Sequence, residues 1–459
     1  MNKGIQKILS GMMCFTLVAC ATNSINEVVE EIETATEVIE TNNTYLSKED
    51  IEIKEVIESN GDGEHAIQAD NDIISYSNIQ VNKTGEASGD EADFYGENAA
   101  IFATNGATLD LSNIVVSTNG THANAVFSYG EGTTINISNS VIETSGNCSG
   151  GIMTTGSGVM NVNNLNVHTI GNSSAAIRSD RGGGIVTVTN GSYVTNGKGS
   201  LAIYSTADIT VNDAYLESTS SQGVVVEGKN SVTLNNVELV ADNNTKNSDK
   251  SSTYQAVMIY QSMSGDAADG LSTFTMNGGT LTNKNGDIFF VNNTVTEINL
   301  EDAMIVNEDE SGVFLRAEAA GWGNEGSNGG QVTLTAAKQT INGNLLVDEI
   351  SNLNLILNDG SSLMGSINQD GQEGEVYVEL DSTSKWTLTS DSYITSLTCT
   401  EGSINLNGYK LYVNGKEYDG NSSTGKRIEV VVTEGSGHGG MEPPAGGHGG
   451  PQGEPPKKP

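Results

Sequence analysis

Two arginines and two carboxylates form the densest mixture of opposite charges in the repetitive part of the sequence. Asp180 stands between Arg178 and Arg181, and alignment of the repeats brings Glu227 to the same face two repeats later. Cleavage of a sugar chain by acid and base needs two carboxylates about 5 to 9 Å apart, which neighbouring strands can offer. Ion pairs between arginine and carboxylate explain the same cluster, so catalytic and structural interpretations both stay open.

A short acidic loop is the candidate metal site. It carries four carboxylates close together in sequence, and these are Asp90, Glu91, Asp93 and Glu97. Calcium prefers such oxygen ligands, but the ligand order of a calcium-binding EF-hand loop is missing, and a solvated acidic loop is the alternative. Calcium is therefore the one cofactor that the sequence suggests. His438 and His448, in two HGG copies near the C-terminus, suggest a weak site for a transition metal.

Aromatic residues recur at one outward position of the repeat and predict a binding surface. The residues expected to contact a ligand, on this ladder or on loops beside it, are Phe102, Phe127, Tyr129, Tyr204, Phe289, Phe314 and Trp322. Exposed apolar stripes mark surfaces for glycans or partner proteins. The alternative is that these side chains stack on one another or lie under loops, and only stabilise the sheet.

A repeat of about 25 residues must position all of these groups. Its first apolar residue falls at Ile101, Val126, Ile152, Ile177, Ile203 and Val224. Each repeat holds three alternating apolar runs, which predicts three strands per coil and an all-β fold, a right-handed single-stranded parallel β-helix. Since side chains alternate along a strand, the residue after each inward apolar residue faces outward.

Two further residue types have structural interpretations. Asparagine or aspartate recurs between the second and third strands at Asn113, Asn139, Asn164, Asn190, Asp213 and Asn236. These side chains can form a hydrogen-bonded ladder and tolerate the left-handed backbone of a sharp corner. Cys148 and Cys399 are about ten coils apart, so we expect them to be unpaired.

The chain ends differ from the repeats and predict an exported, lipid-anchored protein. An apolar stretch ends at Cys20, and the preceding Leu-Val-Ala resembles a bacterial lipobox, although an ordinary signal peptide with a chance cysteine is the alternative. The expected segments are a signal peptide at 1–19, an acidic tether at 20–44, an N-terminal cap at 45–60, the β-helix at 61–420, a terminal strand or cap at 421–434, and a disordered Gly/Pro-rich tail at 435–459. The expected location is the outer face of a bacterial envelope.

Charge limits the choice of partners. The chain has 58 acidic and 21 basic residues, with a formal net charge of −37. Such a charge repels nucleic acid and anionic polymers, and leaves neutral glycans, basic protein surfaces or calcium as plausible partners.

Several runs resemble a known group of proteins. Residues 124–140 (NAVFSYGEGTTINISNS), 174–188 (SAAIRSDRGGGIVTV) and 202–214 (AIYSTADITVNDA) resemble secreted bacterial right-handed β-helix proteins, adhesin-like or pectate-lyase-like in fold. Residues 384–415 resemble the end of autotransporter passenger domains. The resemblance implies a surface protein without an assigned reaction, whose motifs are architectural rather than catalytic. Together with the outward aromatic ladder, this leads to the hypothesis of a surface protein that binds glycans or partner surfaces. The alternatives are a polysaccharide lyase or glycoside hydrolase of the same fold, and a structural envelope stalk.

Overall fold

The computed structural model describes residues 45–246, 249–371 and 373–432. These residues form a parallel β-helix, as the repeat predicts. The predicted signal peptide, the lipid-anchor residue Cys20, the tether, the glycine-rich tail and the two tail histidines lie outside the described residues. Among the described residues, no helix is long and apolar enough to cross a membrane.

One side of the coil is an eleven-stranded parallel sheet, called here the first sheet. Its strands are Ile67–Asp70, Ile101–Thr104, Val126–Tyr129, Ile152–Thr155, Ile177–Ser179, Ile203–Ser205, Val224–Glu227, Gln255–Tyr260, Asp287–Asn292, Val313–Ala317 and Asn344–Val347. The pairing of Ile152 with Val126 and Ile177 shows that equivalent repeat positions lie side by side. The predicted register is therefore confirmed in the regular coils.

The other two strands of each coil belong to a twenty-stranded sheet that continues around the corner between them. Its strands are Glu55–Ser59, Ile73–Ser77, Ile79–Lys83, Thr108–Ser112, Val115–Thr118, Thr134–Thr144, Gly158–Thr169, Gly184–Thr195, Asp208–Asn212, Tyr215–Ser218, Ser231–Asn235, Glu238–Ala241, Leu271–Asn277, Thr280–Asn283, Thr294–Glu301, Met304–Asn307, Gly330–Ala337, Asn352–Asn358, Glu375–Leu380 and Ser396–Thr398.

Two small sheets and two short helices complete the described elements. The four-stranded sheet contains Thr340–Asn342, Ser362–Met364, Lys385–Thr387 and Ile404–Asn405, and the three-stranded sheet contains Ser392–Ile394, Leu411–Val413 and Lys416–Glu417. A 3-10 helix spans Lys48–Asp50, and an α-helix spans Asp90–Phe94. The α-helix matters for the candidate site, because it lies over part of the outer side of the first sheet, as described below.

The core is one continuous stack of aliphatic and aromatic side chains inside the coil. Phe289 and Phe314 belong to this core, so the prediction that they face outward is wrong. Phe289 pairs with Val257 and Leu315, and the outward position is taken by Phe290. The strand around Phe289 is apolar and buried on both faces, so its sequence lacks the alternation that reveals which side faces in.

The corners carry two ladders. The six predicted Asn and Asp residues all have positive φ, as expected for a left-handed corner. The Asn164 amide donates to Asn139 over 2.9 Å, and the Asn236 amide donates to Asp213 over 2.8 Å. At another corner, glycine recurs at Gly61 and then at Gly85, Gly120, Gly146, Gly171 and Gly197. At the last five, close approach of successive coils requires glycine, because an added Cβ would lie 2.0 Å or less from the carbonyl oxygen of the preceding glycine of the series.

The two ends of the described chain both fold onto the coil. Residues in the predicted N-terminal cap form strand Glu55–Ser59, which pairs with Ile79–Lys83, while Ile51 packs on the outside of the third strands against Val115 and Val141. At the other end, Arg427 pairs with Glu379 over 3.0 Å. Cys148 and Cys399 are both free.

Candidate functional site

The outer side of the first sheet carries the candidate site, and most of this side is covered. Its outward register runs through Gln68, Phe102, Phe127, Met153, Arg178, Tyr204, Val225, Met258, Phe290, Arg316 and Leu346. Apolar residues stand at both ends of this ladder, and Arg178 lies between them. Long loops between the strands fold over both apolar groups, so facing outward does not mean facing solvent.

The first apolar group, the helix-covered patch, consists of Ala99, Phe102, Phe127 and Met153. The α-helix Asp90–Phe94 and the turn after it lie over this patch. Gly96 in that turn has φ of +79° and contacts both phenylalanine rings so closely that a Cβ would lie 2.8 Å from Phe102. Phe127 is fully buried and Phe102 is 8% exposed. For these two residues, the observed packing matches the alternative in which the side chains lie under a loop and stabilise the sheet.

The second apolar group lies under later loops and consists of Val225, Met258 and Phe290, with Tyr204, Tyr260 and Trp322 packed against it. The Trp322 ring stands edge-on to Tyr260, with ring centroids 5.2 Å apart. Trp322 is partly exposed, so its loop is both anchored by the indole and open to a ligand on one side.

Arg178 and Asp180 form a buried ion pair between these two groups. The guanidinium Nη2 lies 2.7 Å from Asp180 Oδ2, and the side chains are 15% and 3% exposed. Burial raises the pKa of Asp180 to about 6, against the opposing effect of Arg178. A carboxyl group with this pKa could act as an acid in principle, but here it is shielded from solvent and held by an arginine.

Glu227 is the centre of a separate hydrogen-bond network. Tyr204 donates to its Oε2 over 2.5 Å and Tyr260 donates to the same oxygen over 2.9 Å, while the Ser262 hydroxyl donates to Oε1. Glu227 is 1% exposed. Burial raises the pKa of both tyrosines well above the usual value, so both hydroxyls stay protonated donors. The carboxylate is therefore committed to holding the two rings.

Arg181 joins three parts of the chain. Its Nε lies 2.8 Å from Asp266, its Nη1 lies 3.0 Å from Asp90, and its guanidinium lies 3.6 Å from the centroid of the Phe94 ring. The arginine thus holds the covering helix and a later loop to the same corner. The four residues proposed for catalysis lie in one region, but each has a structural partner and none lines an open cleft.

The acidic loop does not form one four-carboxylate site. Asp90 pairs with Arg181, whereas Asp93 Oδ1 lies 2.8 Å from His122 Nδ1, and Cys148 lies beside them. In the described ranges, Asp93, His122 and Cys148 are the only group of three His, Cys, Asp or Glu side chains close enough to share an ion. Burial raises the pKa of the Cys148 thiol, and Asp93 adds to this effect. Calcium binding by the loop stays a prediction.

A cleft of about 250 Å³ opens beside the second apolar group. Rings line it from several elements, and its aromatic residues are Tyr204, Tyr254, Tyr260 and Trp322. The buried amide of Gln255 also lines the cleft, and its Oε1 has no hydrogen-bond partner. Its Nε2 faces only the weakly accepting sulfur of Met258, at 3.4 Å. The cleft therefore offers ring faces, and an unused acceptor lies buried in its wall.

A larger groove of about 500 Å³ lies on the outer side of the second strands. It is shallow, and its amides are already paired with each other. Asn161 donates to Asn136 over 2.9 Å, and Asn136 donates to Asp110 over 2.7 Å. This groove lacks aromatic faces apart from Tyr76, and three of its polar side chains, Asp110, Asn136 and Asn161, are bound to one another.

Of the residues that line this cleft, the sequence predicted Tyr204 and Trp322 as ligand-binding residues, and it missed Tyr254, Gln255 and Tyr260. The signal was available, because the step from Val224 to Val257 is several residues longer than in the regular coils. Insertions in a repeat protein map to loops on one face, and that face often binds the ligand. The described residues 242–246 and 249–254 belong to such an insertion.

The fold and this covered, loop-bearing face define a parallel β-helix protein with an aromatic cleft beside its first sheet. Comparison with known proteins narrows this class no further, since no family model, no curated protein and no solved structure matches the chain.

Proposed function

We propose that the chain is an exported, lipid-anchored β-helix that binds an uncharged glycan in the cleft formed by Tyr204, Tyr254, Tyr260 and Trp322. The observation that carries the proposal is the buried Gln255 amide, whose Oε1 lacks a partner among these rings. Buried polar atoms are nearly always hydrogen-bonded, so an orphan acceptor buried in the wall of a cleft calls for a donor, which a small shift of the Gln255 side chain would let a ligand supply. A sugar hydroxyl supplies one while the sugar ring lies on an aromatic face.

Charge supports a neutral ligand. Among the described residues that line the cleft, Lys246 is the single charged one, and its ammonium group already donates to the Ser252 carbonyl over 2.7 Å. The Lys250 ammonium lies beside the cleft, 5.7 Å from the centroid of the Trp322 ring. The chain as a whole carries a formal charge of −37, which repels acidic polysaccharides. Uronic-acid polymers are therefore poor candidates, and neutral hexose or pentose oligomers fit the cleft better.

The test is binding of neutral oligosaccharides to the purified chain, first on a glycan array and then by calorimetry. Tyr254→Ala removes a ring face, and Gln255→Leu removes the orphan acceptor while keeping side-chain volume. Both changes should weaken binding at least about tenfold, the effect of about 1.4 kcal/mol. The matched control is Tyr393→Ala, since this ring stacks on Tyr412 in the distant three-stranded sheet. Equal binding by all three variants would refute the assignment of the cleft.

The alternatives differ in outcome. A folded chain that binds no glycan on the array supports the envelope stalk. A lyase or hydrolase would release products from the same panel, and Asp180→Asn or Glu227→Gln would abolish the release. The geometry gives no observation that favours catalysis, because Asp180 and Glu227 are only 2% and 1% exposed.

A further inference from the structure

His122 and Cys148 occupy the same position in the turns of two successive coils. The His122 N–H donates to the Asn147 carbonyl over 3.0 Å, and the Cys148 N–H donates to the Asn172 carbonyl over 2.8 Å. Both residues have positive φ, at 55° and 54°. Few side chains accept this left-handed backbone, and although histidine is one of them, cysteine here is an unusual choice. The turn ladder places their side chains on neighbouring rungs, about 4.8 Å apart.

The covering helix brings a third ligand to this pair. Asp93, in helix Asp90–Phe94, places Oδ1 2.8 Å from His122 Nδ1. The three ligand atoms of Asp93, His122 and Cys148 all lie within 4.8 Å of one another. Three separate parts of the chain therefore converge on one point at the edge of the helix-covered patch.

The imidazole of His122 gives independent support for a ligand. Its side chain is only 10% exposed, yet its Nδ1 makes no aligned hydrogen bond, even to the nearby carboxylate. The contact with Asp93 is thus a close approach of Nδ1 to a carboxylate oxygen without a well-directed N–H donor. An imidazole nitrogen that is buried, unpartnered and beside a carboxylate and a thiol is placed as a metal ligand would be.

We propose that Asp93, His122 and Cys148 bind a divalent transition-metal ion of the zinc class. One oxygen, one nitrogen and one sulfur ligand suit zinc, cobalt or copper, whereas calcium and magnesium take oxygen ligands only. A tetrahedral zinc ion holds its oxygen and nitrogen ligands about 3.3 Å apart, so Asp93 has to move roughly half an ångström. The fourth position falls to water, because the Asp93 side chain is 32% exposed.

The ion would fasten the covering helix to the coil. Asp93 belongs to the helix that lies over Phe102 and Phe127, while the other two ligands belong to the turns of the β-helix. Binding releases the Cys148 thiol proton to solvent, because sulfur binds the ion as thiolate. This inference is independent of the glycan cleft, since none of the three ligands lines it.

The test is a titration of the metal-free full chain with Co²⁺, which reports sulfur ligation through a charge-transfer absorption band. All samples carry His438→Ala and His448→Ala, so that the tail histidines do not compete. One ion should bind per chain, with the band present. Cys148→Ser should abolish the band, and Asp93→Asn should weaken binding by more than about tenfold. The matched control is Cys399→Ser, which removes the other described free cysteine and should leave the band unchanged.

His122→Asn tests the site without straining the turn, because asparagine tolerates a positive φ. We expect weaker Co²⁺ binding with an unchanged circular dichroism spectrum. A second readout is hydrogen exchange of residues 90–97, which Zn²⁺ should slow in the parent and not in this variant. A band that survives Cys148→Ser, or equal protection by Ca²⁺ and Zn²⁺, would overturn the proposal.

Discussion

Replacing Gly146 by alanine gives the sharpest test of how the coils are stacked. Gly146 lies in the corner where glycine recurs in six coils, and an added Cβ would lie 1.9 Å from the Gly120 carbonyl oxygen. Ordinary contacts begin at 3.4 Å, so the two coils would have to separate locally by roughly 1.5 Å. Strands of neighbouring coils are held about 4.8 Å apart by their hydrogen bonds, and the corner cannot open without losing some of them.

The free-energy cost of Gly146→Ala can be worked out from the contacts that surround the added Cβ. Overpacking of a tight site costs about 1–3 kcal/mol. The Ser149 hydroxyl donates to the Gly120 carbonyl over 2.8 Å, and loss of this buried bond adds about 1 kcal/mol. We therefore expect Gly146→Ala to destabilise this region by about 2–4 kcal/mol.

Hydrogen exchange is the appropriate assay, because a long solenoid does not unfold as a single two-state unit. The amides of Ser145 and Ser149 should exchange roughly thirty- to several-hundred-fold faster in the variant, since each 1.4 kcal/mol is a factor of ten. The matched control is Gly106→Ala, where φ is +79° and nothing lies within 4 Å of the added Cβ. Backbone strain alone costs about 1 kcal/mol there. If Gly146→Ala costs no more than this control, the steric account of the corner is wrong.

Three further predictions concern the covered face. Phe127→Ala should cost about 3–5 kcal/mol locally, because the ring is fully buried, and residues 84–97 should become sensitive to proteases; an unchanged digestion pattern would contradict the packing described. The pKa of the Asp180 carboxyl is about 6 in the folded protein, against an ordinary value of 3.8. The stabilisation of the fold by this carboxyl is therefore fully present at low pH and is lost as pH rises from about 4 to 6. The loss approaches about 3 kcal/mol. The protection factors of amides around Asp180, measured by hydrogen exchange across this pH range, should therefore vary less with pH in Asp180→Asn than in the parent. Arg181→Gln should speed hydrogen exchange both in helix Asp90–Phe94 and in the loop around Asp266. The effect should be smaller in high salt, because Arg181 is 32% exposed and its ion pairs are screened. An effect on only one of the two segments would show that they are held separately.

The fold was predictable because its information is local and repeated. Alternating apolar residues such as Ile135 and Ile137 specify a buried strand face, and the asparagine between runs specifies the corner. Each coil contacts mainly its neighbours, so a correct register in one coil carries to the next. The prediction was wrong at Phe289 and Phe314, where the chain is apolar on both faces and the alternation disappears.

The candidate sites were harder to predict because they combine distant segments. Asp93 belongs to an inserted helix. The sequences of this helix and of the later loops do not indicate which coil each of them packs on. Alignment of the repeats could have shown that His122 and Cys148 are equivalent positions of two successive coils. Each lies two residues after one of the recurring glycines, Gly120 or Gly146. The orphan acceptor of Gln255 has no sequence signal at all, because it depends on which neighbouring donors are absent.

In this chain, the residues that form the cleft are separate from the residues that hold the fold together, whereas most globular proteins combine the two. The walls of the cleft come largely from insertions between strands, including Tyr254 and Trp322, while the stack of core residues runs past them without interruption. Loop length and loop sequence can therefore change without altering the repeat that holds the chain together. Exchange of one or two loops would therefore reshape the cleft while the coil beneath it stays the same.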